Sequence, residues 1–317
     1  MTDNKQKYIE FCKKEPIPIF MQPYWLDSVC EYGMEWDVLL YEKGGEIWGS
    51  FVYCIKKKYG FTLITMPKLT QFLGPYIKYS KGQKYYKRLS WEKEIMNYFI
   101  DKLPKFDYFS MNFHYSITNW LPFYWRGFKQ TTRYTYVIDK KVSLEELSKN
   151  FETDVRRRRR RKAEKLGIKI EESDNIDMLY NLAKMTFERK EADIPYSLSF
   201  LRNIYNKNKD NIKINLAKYK DNYIAGNLLL IDRENVIYLV GGIDANYKDS
   251  GAMDLVQYES IKFALENDKN FDFEGSMIES IEKYFRSFGA VQKPYFNITK
   301  INSKILKLRN CLKEILR

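Results

Sequence analysis

The stretch from Tyr223 to Lys300 constrains the fold more than any other part of this chain. Tyr223-Ile224-Ala225-Gly226-Asn227-Leu228-Leu229-Leu230-Ile231 is apolar, too short for a globular helix, and lacks the helical period. A polar turn, Asp232-Arg233-Glu234-Asn235, leads to Val236-Ile237-Tyr238-Leu239-Val240-Gly241-Gly242, so the two runs predict a hairpin. Ser250-Gly251-Ala252 then opens a helix in which Met253, Val256, Ile261, Ala264 and Leu265 recur at helical spacing. Phe271-Asp272-Phe273-Glu274-Gly275 predicts a short strand ending on glycine. Residues 277–288 predict a second helix stopped by Gly289, and residues 292–299 a last strand. Hairpin, helix, strand, helix, strand is an order that can seat a ligand where a strand hands over to a helix N-terminus.

The first half of the chain runs in the same order. Its ordered part begins at Gln22-Pro23-Tyr24-Trp25-Leu26. Residues 38–41 and 47–55 predict strands around the turn Lys43-Gly44-Gly45-Glu46, and residues 61–66 a third strand. Residues 66–79 contain Pro67, Gly74 and Pro75 and predict an ordered loop. A helix from an N-cap at Ser90 carries Ile95, Tyr98 and Phe99, followed by strand 106–113, short helix 120–125 and strand 133–138. Lys43-Gly44-Gly45-Glu46-Ile47-Trp48-Gly49 lies over Lys220-Asp221-Asn222-Tyr223-Ile224-Ala225-Gly226 without a gap. Phe106-Asp107-Tyr108 matches Phe271-Asp272-Phe273, and Tyr124-Trp125-Arg126-Gly127-Phe128 matches Tyr284-Phe285-Arg286-Ser287-Phe288. Three correspondences in one order predict two copies of one α/β unit with a mixed sheet, residues 1–140 and 141–317.

The aromatic-Asp-aromatic strand at 271–273 and the aromatic-basic-x-aromatic-Gly helix end at 285–289 resemble the Fem-type aminoacyltransferases. These are tandem proteins of the acyl-CoA N-acyltransferase (GNAT) fold, active in cell-envelope biosynthesis. The resemblance implies an N-acyltransferase with acyl-CoA or aminoacyl-tRNA as donor. Its acceptor would be the amino group of a phosphorylated or lipid-linked amino sugar, such as an envelope or polysaccharide precursor. It also implies a charge-balancing role for Arg286, where the family usually has lysine. A non-catalytic GNAT-like protein that binds a phosphorylated ligand is the alternative, and nucleic-acid binding a third reading.

Charge fits such partners: 54 Lys and Arg against 41 Asp and Glu give +13, which favours phosphorylated ligands, tRNA or the anionic inner face of a membrane. Four cysteines without metal spacing or a compact framework predict free thiols in a reducing cytoplasm. The N-terminus lacks the apolar core of a signal peptide, and no apolar run reaches membrane-spanning length. A single histidine, His114, nearly excludes a histidine triad or a multi-histidine metal site, and it reads as structural.

Between the copies, Ser143 and Glu146 form a capping box and Leu144, Leu147, Phe151 and Val155 an apolar stripe. Six arginines, 156 to 161, follow, with Gly167 as the stop. Successive helical residues are about 100° apart, so some arginines face the buried side and need a carboxylate, a phosphate or water. Arg157, Arg158 and Arg161 are expected to hold an anionic part of the substrate in a cleft between the domains, with Tyr238 and Phe285 also touching it. Amide formation needs a neutral amine and donors for an oxyanion. Asp272 and Glu274 alternate along a strand and so share a face, where either can orient or deprotonate an amine. Arg286 is expected to balance negative charge. Ser250-Gly251-Ala252 stands where GNAT enzymes carry a pyrophosphate-binding turn. The C-terminal segment 301–317 is amphipathic, with Ile301, Ile305, Leu308, Leu312 and Ile315 on one side.

Overall fold

The computed structural model describes residues 3–31, 33–150 and 155–315, with side chains at 150, 155 and 310–315 left aside. The Phe151, Val155, Leu312 and Ile315 positions of the two apolar stripes lie outside the described side chains. The chain begins with helices α1 (Asp3–Lys14) and α2 (Pro23–Val29) and strands β1 (Met34–Lys43), β2 (Glu46–Lys58), β3 (Phe61–Thr65) and β4 (Gly74–Ile77). Helix α3 (Tyr85–Lys102), β5 (Tyr108–Asn112), α4 (Leu121–Trp125) and β6 (Lys129–Ile138) follow. Next come α5 (Leu144–Asn150), α6 (Val155–Lys165), β7 (Lys169–Glu172), α7 (Ile176–Glu188) and α8 (Leu198–Lys207). Strands β8 (Ile212–Tyr219), β9 (Asn222–Ile231) and β10 (Asn235–Ile243) lead to α9 (Ala252–Glu266) and β11 (Asn270–Asp272). Helix α10 (Glu279–Arg286), β12 (Val291–Ile301) and α11 (Lys304–Ile315) close the described chain. None of these helices is long and apolar enough to cross a membrane.

Two compact units result: residues 1–133 with 294–317, and residues 134–293. In the first, β1 pairs antiparallel with β2, β2 with β3, β3 parallel with β5, and β5 antiparallel with β12. In the second, β7 to β10 form an antiparallel run, β10 pairs parallel with β11, and β11 antiparallel with β6. The last strand of each sequence copy therefore completes the sheet of the other unit. The sequence division at residue 140 keeps β12 with the second copy; its ladder with β5, from Asn297↔Asn112 to Ile301↔Tyr108, places 294–317 in the first unit instead.

The two leading hairpins are built alike. Each has a two-residue loop, Gly44-Gly45 and Lys220-Asp221, and Gly44, Gly45 and Lys220 take the positive φ that such tight turns require. Each skips one residue of its second strand, Trp48 and Ile224, at the same distance from the turn. Counted from the turn, Gly49 matches Ala225, so the ungapped sequence match to Gly226 is one residue out.

Some boundaries also move. α1 buries Tyr8 and Phe11 ahead of the expected ordered start. Helix α3 begins at Tyr85, and Ser90 lies inside it, with its hydroxyl donating to the Tyr86 carbonyl at 3.1 Å. The loop around Pro75 contains β4, which pairs with β2 at its edge, where a residue without an N–H is tolerated. Half of the capping box is present: the Glu146 N–H donates to Ser143 Oγ at 3.1 Å. Strand β9 is buried almost throughout, as expected when both faces are covered.

Candidate active site

In the second unit, the carboxylates of the 271–275 stretch converge with tyrosines from other elements. Strand β11 ends at Asp272, and the next turns place Glu274 and Gly275 at φ 61° and 76°. A methyl at 275 would collide with the Tyr134 carbonyl and Thr135 backbone of β6, so only glycine fits. Glu274 occupies the left-handed region without that exemption, a strain of about 1–3 kcal/mol of the kind found at functional sites. Its N–H donates to Asp272 Oδ1 at 2.8 Å, which holds the turn. The strand alternation read from the sequence thus stops short of Glu274; a tight turn sets the two carboxylates near each other.

Asp272 is only 3% exposed, and the Thr135 hydroxyl donates to its Oδ1 at 2.5 Å. Burial raises its carboxyl to about 6, against the opposing pull of the bonds from Thr135 and the Glu274 N–H. Glu274 is half-buried at its surface; burial first, and then the charge of Asp272, hold its carboxyl well above the ordinary range. Tyr238 of β10 and Tyr196, just before α8, face the same charge. Burial pushes both phenols up, and Glu274 adds to each. Phe285 of α10 walls this cluster, 5.0 Å from the Phe273 ring and 5.9 Å from the Tyr238 ring. Buried groups that stay protonated beside an ionisable carboxylate form the kind of environment that supports proton transfer.

Arg286, next to Phe285, has its ion-pair partner on its own helix. Its guanidinium is 51% exposed and its Nε is 2.9 Å from Glu282, which also accepts from the Tyr136 hydroxyl at 2.9 Å. Its counterpart Arg126 in the first unit likewise pairs with an exposed carboxylate, Asp101, at 2.9 Å.

The arginine helix packs on α9 within this unit. Arg156 forms a buried ion pair with Asp254 and donates to Ser287 Oγ at 2.6 Å, while its guanidinium lies 4.4 Å from the Tyr284 ring centre. Arg159 reaches Asp249 at 3.2 Å, Arg160 stacks over Tyr258 at 4.0 Å, and Ala163 enters the core with Ala252 and Val256. Positions 156, 159, 160 and 163 are one helical face, so the buried arginine found the carboxylate that its burial demands. Of the expected anion-holding arginines, Arg157 donates from Nε to the Ser148 carbonyl at 3.1 Å, whereas Arg158 and Arg161 are exposed.

Ser250, Gly251 and Ala252 are buried beneath this helix. Gly251, at φ 84°, sits so close to the Arg159 carbonyl that a methyl there would strike it. The Ala252 N–H is taken by Ser250 Oγ at 3.1 Å. So arranged, the turn presents no open cradle for a pyrophosphate. Sequence reasoning missed Asp254, Thr135 and Tyr196. Asp254 had a signal, a carboxylate among apolar residues of a helix in a chain with six arginines to neutralise; Thr135 and Tyr196 had none.

The matching positions of the first unit serve the fold. Asp107, the counterpart of Asp272, accepts from the Thr62 N–H at 2.8 Å and serves the backbone. His114 sits among aromatics, its ring centre 4.5 Å from that of Phe72, and burial lowers it to about 4, so it is neutral at physiological pH. Among the described residues, no group of three or more His, Cys, Asp and Glu side chains is placed to hold a metal ion.

Residues 149–284 match the family model described as an acetyltransferase (GNAT) domain. That stretch of the chain is therefore similar to a GNAT acetyltransferase domain. A crystal structure of FemX aligns over 93% of this chain and 96% of its own, with TM-score 0.72 and 16% identity. A tandem GNAT protein from the clavulanic acid biosynthesis pathway aligns over 94% of both chains, with TM-score 0.50 and 7% identity. The C-terminal domain of a putative lysylphosphatidylglycerol synthetase from Agrobacterium fabrum aligns over 83% of this chain and 84% of its own, with TM-score 0.50 and 8% identity. At these identities the likeness is one of fold, and the fold is the tandem GNAT-like one that FemX shares. No curated protein matches the chain in sequence.

Proposed function

We propose that this acyltransferase forms an amide on the amino group of a phosphorylated or lipid-linked envelope precursor, at the Glu274–Asp272–Tyr238 cluster, in the cytoplasm. The carrying observation is Glu274, strained at φ 61° and raised by burial and by Asp272, beside two phenols that stay protonated. A base with a raised pKa is matched to an ammonium group that must lose its proton before attack. In this reading Glu274 takes that proton, Asp272 fixes the turn and tunes Glu274, and the Tyr238 hydroxyl meets the oxyanion. As the C–N bond forms, the donor's ester or thioester bond breaks, and a proton from the amine passes through Glu274 to the departing oxygen or sulfur. Phe285 packs against the acceptor.

The likeness to FemX and to a putative lysylphosphatidylglycerol synthetase supports an aminoacyl group as the one transferred. The covered turn at Gly251 favours the same choice, because an acyl-CoA held there would meet the α6 backbone. Aminoacyl-tRNA is therefore the proposed donor. The test incubates the full chain with charged tRNA or acetyl-CoA and an extract of envelope precursors, and follows the acyl label. Glu274→Gln should lower kcat by about 10²- to 10⁴-fold, the range for a general base, with the fold retained. Unchanged transfer by Glu274→Gln would remove the assignment. Saturable precursor binding without transfer from either donor would favour a binding protein instead.

A further inference from the structure

The first unit carries a surface with a different chemistry. Helix α4 buries Pro122 and Phe123 in an aromatic core that includes Phe113 and Phe128. Its opposite side presents Leu121, Tyr124 and Trp125, spaced three and four apart and so on one face. Tyr124 is 58% and Trp125 53% exposed, values that a soluble core does not account for. Cations surround them. Lys93 Nζ lies 4.9 Å from the Trp125 ring centre, and Arg126 caps the helix. Lys300 of β12 donates to the Arg126 carbonyl at 2.6 Å, and the charges of Arg126 and Lys307 both bear on it. Lys307 belongs to α11, where Ile305 and Leu308 are exposed beside Lys304.

We infer that this face of the first unit docks on an anionic phospholipid bilayer. Trp and Tyr with one apolar and one polar end settle at the headgroup level. Exposed lysines add attraction to anionic lipid of about fivefold in affinity each. The aliphatic side chains decide between a bilayer and a nucleic acid: Leu121, Ile305 and Leu308 gain by entering acyl chains and offer a base nothing to stack on. Asp101, a carboxylate beside α4, is neutralised by Arg126 at 2.9 Å. The inference is independent of the acyl-transfer reading, since none of these residues belongs to that cluster.

Co-sedimentation of the full chain with phosphatidylcholine vesicles, with and without phosphatidylglycerol, tests it. Binding is expected only to the vesicles with phosphatidylglycerol, and it should weaken as salt rises. The pair Tyr124→Ala and Trp125→Ala should weaken it about tenfold through lost apolar insertion. Lys304→Glu with Lys307→Glu, both fully on the surface, should weaken it at least as much and guards against misfolding of the aromatic variant. No binding to anionic vesicles, or equal binding by the lysine variant, would overturn the inference. So would binding to single-stranded RNA, rather than to vesicles, that the same substitutions abolish.

Discussion

Asp272 couples the chemistry of the site to the stability of the fold. Its carboxyl is held at about 6 in the folded chain against an ordinary value of 3.8, chiefly by burial. A carboxyl raised on folding favours the native state while it is protonated, and that contribution is lost as pH rises through 6. The shift of about two units corresponds to about 3 kcal/mol, an upper figure for a fully buried group. Asparagine keeps an oxygen that can accept from both Thr135 and the Glu274 N–H. Asp272→Asn should therefore raise Tm relative to the parent at pH 7 and lose that advantage near pH 4. Thermal melts of both proteins across this range check it, and a Tm difference independent of pH would contradict it. The same substitution withdraws a negative charge from Glu274, so the pH at which transfer rises should fall.

At the scale of elements, the α6–α9 contact shows why a run of six arginines can sit on a folded domain. Asp254 is 3% exposed, and it and Arg156 neutralise each other inside. Asp254→Ala strands the Arg156 guanidinium, a change worth about 3–5 kcal/mol when a buried pair loses one partner. Urea denaturation should show that loss, whereas Asp249→Ala, whose side chain is exposed, should cost less than about 1 kcal/mol. Equal effects of the two would mean that the contact contributes no buried pairing. That some arginine had to meet a carboxylate was legible from 100° geometry; which carboxylate was not, since residues 156 and 254 meet only through packing. The hairpins were legible for the same kind of local reason, a two-residue loop between apolar runs. Glu274 was misplaced on a strand because β11 ends at Asp272 and the chain turns through a left-handed Glu274 to Gly275, which lies against Tyr134 and Thr135 of β6, a contact far away in sequence and invisible to a local pattern. The closure of Gly251 by Arg159 was hidden likewise, so a turn read as a ligand cradle is a packing contact.

At the scale of the whole chain, each unit depends on a strand supplied by the other sequence copy. The repeat was legible in short correspondences, one of them a residue out of register, but repetition alone says nothing of which copy a final strand pairs with. The ladder decides it: β12 pairs with β5, and the Phe113 N–H donates to the Phe296 carbonyl at 2.8 Å. Ile298 and Tyr295 enter the core, and Asn297 donates to Asn112 Oδ1 at 2.8 Å. A chain ending at residue 293 would leave one side of β5 without a partner, exposing its N–H and C=O groups as an aggregation-prone edge. It would also uncover apolar surface around Met111 and Phe109. Yet residues 134–293 keep β6 on β11 and all of the 272–274 cluster. Hydrogen exchange on the truncated chain should therefore show lost protection in β3 and β5, with β9 and β10 still protected. Uniform loss across both units would mean that they unfold as one, and unchanged protection of β5 would mean that β12 adds no stability to the unit it completes.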